Sequence, residues 1–182
     1  MRILVIRNVA HSDCATMLHQ LFKSLLDPGY SLLSYVIKSI IIMEFPGWIF
    51  SCVLFLCQTA GWYAPDMRPS PFTEWPFFVM VLVGPVLESF LLAGLVWVIG
   101  KALVDPVLIS VISGIAWGVL HAWGAPNALE YALILVWSGY DFFIFTMAFL
   151  AWKSSSFWYG FFAAMLPHLA HDGQWKMLTL IC

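Results

Sequence analysis

Four residues of this chain have the types needed to activate a water molecule: Glu88, His121, His168 and Asp172. A carboxylate with little water around it is a strong general base so long as it stays ionised near neutral pH. An imidazole beside it can orient the water or hold a proton. His168 or His171 can donate a hydrogen bond to a developing oxyanion, and losing one such donor typically costs about 10²–10³ in rate. All these residues lie in apolar surroundings. An ionisable group at membrane depth costs about 2.5–3.5 kcal/mol on insertion scales, so each calls for a reason.

Other polar residues in the same stretches have plainer explanations. Glu44 lies near the start of an apolar run and is expected at the interface. Asp141 reads as a helix–helix hydrogen-bond partner, and His171 as a packing or tuning residue. Glu88, His121, His168 and Asp172 differ because they occur on three separate runs, which argues against independent structural accidents. His168 and Asp172, four apart, share one helix face. Pro167 should loosen the helix at His168, and Gly84-Pro85 suggests a kink one turn before Glu88. Gly114 and Gly118 allow a neighbouring helix to approach His121 closely.

The elements that must position these groups follow from composition. Of 182 residues, 62% are hydrophobic and only 10% charged, against about 45–50% apolar and about 25% charged in a soluble domain. Mean hydropathy is +0.90. Lipid is therefore the expected solvent for most of the surface. Eight basic residues and a net charge of −2 give no electrostatic case for nucleic-acid binding. Cys14, Cys52, Cys57 and Cys182 show no C-x-x-C spacing and read as small apolar residues. Five apolar stretches lie near 35–60, 76–100, 104–123, 130–152 and 156–180. Before them, Leu18, Leu21, Phe22, Leu25 and Leu26 form one face of a helix of about 15 residues, too short to span, that ends at Pro28-Gly29. The expected fold is an all-α, polytopic membrane helical bundle of about five transmembrane helices plus an N-terminal interfacial helix. Segment 1–34 carries that helix and 35–182 forms the transmembrane domain. Arg2, Arg7, Lys23, Lys38, Lys101 and Lys153 fall on one side by parity, against Arg68 and Lys176, which places the N-terminus in the cytoplasm.

Three segments carry a family resemblance. G-P-V-L-E-S-F-L-L-A-G (84–94) resembles the first motif of the CPBP family, the CAAX prenyl proteases and bacteriocin-processing (Abi-like) enzymes, approximately P-x-x-E-E-x-x-x-R-G. S-G-I-A-W-G-V-L-H (113–121) resembles the second, with Trp117 where Phe is usual, and A-A-M-L-P-H-L-A-H-D (163–172) the third. The match runs over about 77–175 with the motifs in order. It implies an intramembrane glutamic endopeptidase of a prokaryotic cell membrane. Glu88 would be the base, His121 its partner, and His168 with Asp172 the oxyanion and orienting groups. The family's second Glu and its Arg are Ser89 and Ala93 here; both members of an i,i+4 ion pair are gone together.

The expected activity is hydrolysis of a peptide bond in a membrane-associated peptide or protein, prenylated substrates included, with membrane lipid as the surroundings. No cofactor is expected. The rival mechanism uses zinc held by Glu88, His121 and His168 in a His₂Glu set with an open position. Two other functions fit the residues. One is an inactive relative serving as a bacteriocin self-immunity factor or membrane scaffold. The other is a proton-coupled transport component with Glu88, Asp141 and the histidines as relay.

Overall fold

A computed structural model describes residues 16, 20–21, 23–29, 31–61, 76–125 and 127–181. Among the described residues the bundle is built by α1 Leu32–Thr59, α2 Gly84–Ile99, α3 Pro106–Ala122, α4 Ala128–Lys153 and α5 Phe157–Ile181. No strand occurs among the described residues. The observed bounds follow the apolar stretches closely, because the breaks are written as caps. Asp105 accepts the Leu108 N–H at 2.8 Å, with Pro106 at the first helical position of α3. Asn127 accepts the Glu130 N–H at 2.9 Å to open α4, and the Ser156 hydroxyl accepts the Tyr159 N–H at 3.1 Å to open α5. The connections are short, so α2 to α5 run alternately up and down.

α4 is the central element and touches the other four helices. Phe142, Ile144, Phe145, Met147, Ala148 and Phe149 on it are all buried. Lipid is as apolar as these side chains, so packing density and close backbone approach must hold the helices together. α3 and α4 show how. A Cβ at Gly114 would strike the Gly139 carbonyl, and one at Gly118 the Leu135 carbonyl. Glycine at those two positions is what lets the two backbones touch.

The outer faces are apolar. Leu33, Ile37, Ile41, Phe45 and Trp48 form an exposed stripe at helical spacing along α1. Among the described residues, three segments are long and apolar enough to cross a membrane: Leu32–Ile49, Val79–Ile99 and Ala128–Lys153. The expectation was five. α3 has only 17 residues, and the second half of α5 carries His168, His171, Asp172, Gln174 and Lys176.

The kink expected at Gly84-Pro85 takes a defined form. Val79–Val83 is a π-helical turn, and the Gly84 N–H bonds back five residues to the Val79 carbonyl. Pro85 has no N–H and its ring crowds the carbonyl four residues earlier, so widening the preceding turn relieves the clash. At Pro167, by contrast, α5 continues as helix. The described residues of the N-terminal helix dock on the bundle. Leu25 is fully buried in the main core, the Tyr35 hydroxyl donates to the Leu25 carbonyl, and Lys38 donates to the Ser24 carbonyl. Leu18 and Phe22, also expected on its apolar face, lie outside the described residues.

Candidate active site

Glu88 follows the π-turn by five residues on α2, His121 sits in the last turn of α3, and His168 and Asp172 lie on α5. The fold brings all four together. Oε2 of Glu88 is 4.0 Å from Nε2 of His121 and 3.6 Å from Nε2 of His168. His168 Nε2 is also 3.6 Å from Oδ2 of Asp172, one turn along the same helix. The side chains form a gradient of access: His121 is 38% exposed, Glu88 30%, Asp172 23% and His168 7%. The cluster is therefore most accessible at His121 and Glu88 and least at His168.

The two imidazoles are held by aromatic walls. His168 stacks on Phe145 with ring centroids 4.6 Å apart. Phe142 touches the edge of His168 and also lies against His121 and Trp117. The Trp117 carbonyl accepts from Nδ1 of His121 at 3.2 Å. A carbonyl can only accept, so the Nδ1 proton stays there and Nε2 of the neutral ring is an acceptor. Oε2 of Glu88 is buried and takes no hydrogen bond within the described residues. Two acceptors thus face each other across 4.0 Å. Two acceptors at this separation call for a shared donor, and water is the smallest molecule that donates twice.

A second cluster lies next to this one. His171 Nδ1 is 2.9 Å from Glu44 Oε1, and its Nε2 is 3.5 Å from Asp141 Oδ2. Gln174 Nε2 donates to the other Glu44 oxygen at 3.3 Å. His171 therefore joins α5 to both α1 and α4; Asp141 meets it as an interhelical ion-pair contact rather than through the hydrogen bond expected of it. Glu44 corrects the sequence reading: it is 6% exposed and points into the bundle, away from the interface. The signal for this lay in α1 itself. The lipid-facing stripe passes through Ile41 and Phe45, while Glu44 falls eight residues after buried Val36 and one after buried Met43.

Ser89 and Ala93, which stand where the resembled motif has its charged pair, are both buried. Small uncharged side chains there leave no unpaired charge in the interior. The residues considered for zinc, Glu88, His121 and His168, approach one another, but no group of three His, Cys, Asp or Glu among the described residues has the arrangement of a metal site. Comparison with known proteins finds no matching family model, no matching curated protein and no matching solved structure.

Proposed function

We propose that the chain is a multi-pass protein of a prokaryotic cell membrane that hydrolyses a peptide bond in a membrane-associated peptide or protein. The observation that carries this reading is the convergence of Nε2 of His121 and Nε2 of His168 on one buried carboxylate oxygen, Oε2 of Glu88. A water between Glu88 and His121 gives a proton to Glu88 as its oxygen attacks the peptide carbonyl carbon. The carbonyl oxygen becomes an oxyanion beside His168, which Asp172 holds in place. Collapse breaks the C–N bond, and the proton on Glu88 passes to the leaving nitrogen. The second water proton stays on the attacking oxygen, so the products are a carboxylic acid and an amine. The motif resemblance over 84–94, 113–121 and 163–172 supports the same assignment.

A second reading rests on Ser89 and Ala93. Loss of the charged pair from the first motif also fits an inactive relative that acts as an immunity factor or scaffold. One experiment separates the two. The protein is purified in detergent and incubated with reporter peptides, as wild type and as Glu88→Gln, with and without chelator. Cleavage by the wild type and none by the variant supports hydrolysis. Equal behaviour of the two proteins overturns it. Loss of wild-type cleavage with chelator assigns the chemistry to a metal.

A further inference from the structure

An apolar groove lies between α2, α4 and the start of α5. It encloses about 470 Å³ and is lined by Phe90, Gly94, Trp97, Phe149, Phe157 and Lys153 among others. That volume falls within the range of about 300–1,000 Å³ typical of sites for small organic ligands. Phe149 is buried and forms the floor, while Trp97 and Phe157 stand exposed at the rims. A Cβ at Gly94 would meet nothing within 4 Å, so the groove is open at that point.

The groove has charge at one end only. Lys153, the last residue of α4, lines it. The Lys101 ammonium sits 3.5 Å from the centroid of the Trp97 ring, which makes the rim. Lys38 lies near this same end, because Tyr35 at the start of α1 meets Trp152 in ring contact at 5.9 Å. By the positive-inside rule this basic end faces the cytoplasmic leaflet, where anionic lipids concentrate. The groove runs along α2 from Phe90 to Trp97, whose end lies nine residues beyond Glu88, about 13 Å along the helix axis, and its lining includes none of Glu88, His121, His168 and Asp172.

We propose that this groove is a binding site for an anionic phospholipid, with an acyl chain along Phe90, Gly94 and Phe149 and the phosphate against Lys153 and Lys101. An apolar slot lined by Lys153 at one end, with Lys101 over its Trp97 rim, is complementary to a hydrocarbon chain that ends in a negative headgroup. The inference requires membrane residence but does not depend on hydrolysis at Glu88.

The test is native mass spectrometry of the full chain, released from detergent micelles with equal amounts of phosphatidylglycerol and phosphatidylcholine of matched chains. The wild type is expected to retain phosphatidylglycerol roughly tenfold over phosphatidylcholine, in line with two nearby ammonium groups. The double variant Lys101→Gln, Lys153→Gln should bind both lipids alike. Gly94→Trp fills the open slot and should lose retention of both, with helix content by circular dichroism unchanged. Equal retention of the two lipids by the wild type overturns the proposal. So does a preference that survives the lysine replacements, or a dimer that excludes lipid.

Discussion

Oε2 of Glu88 and Nε2 of His121 face each other as two acceptors 4.0 Å apart, on different helices. The arrangement wants a donor between them, and water supplies two. Glu88→Gln replaces the base with a group of the same shape that cannot take a proton. Cleavage of a reporter peptide should fall by about 10²–10⁴, while circular dichroism and melting temperature stay close to wild type. A folded Glu88→Gln protein with full activity would remove Glu88 from the chemistry.

His168 and Asp172 divide their labour differently. His168 touches the carboxylate and stacks on Phe145, so His168→Leu removes the proposed oxyanion donor. It should lower kcat by about 10²–10³. Asp172 acts on the reaction through His168, as a positioning residue. Asp172→Asn keeps a hydrogen-bonding group at Oδ2 and should cost less in kcat than His168→Leu, with KM unchanged. Steady-state kinetics on the two variants side by side check the order.

Much of this site could be anticipated from the chain. Ionisable residues are rare enough in apolar runs that Glu88, His121, His168 and Asp172 stood out, and the i,i+4 spacing put the last two on one face. The helices were legible as apolar stretches, and the structure adds the caps that bound them, Asp105 with Pro106, Asn127 and Ser156. What could not be read was which polar residue meets which. Glu44 and His171 are 127 positions apart. Their contact depends on the rotation and depth of α1 against α5, which hydropathy does not encode. The π-turn at Val79–Val83 was legible only as a kink, because Gly84-Pro85 demands relief without specifying its form.

The Glu44–His171–Asp141 cluster predicts a stability pattern rather than a kinetic one. Glu44→Leu leaves His171 with one carboxylate partner in the interior, and Gln174 loses its acceptor. Removing one partner of a buried pair costs about 3–5 kcal/mol. Replacing both groups, as Glu44→Leu with His171→Leu, should recover part of that loss. Thermal melts in detergent of the two single variants and the double variant measure the coupling. Additive losses would show that the 2.9 Å contact contributes nothing.

The contact of α3 with α4 makes the last prediction, and it links packing to the site. His121 sits three residues beyond Gly118, whose missing side chain lets α3 rest on the Leu135 carbonyl of α4. Gly118→Leu must push the two backbones apart, since backbone atoms cannot yield as a flexible side chain does. Overpacking of this kind costs about 1–3 kcal/mol. The shift also carries His121 away from Glu88, so activity should fall further than stability does. Gly94→Leu is the control, because its Cβ points into open space and should leave the melting temperature nearly unchanged. Melting temperature and cleavage rate measured together on both variants decide it: equal behaviour of the two would mean that the glycines of α3 do not set the distance between His121 and the carboxylate it faces.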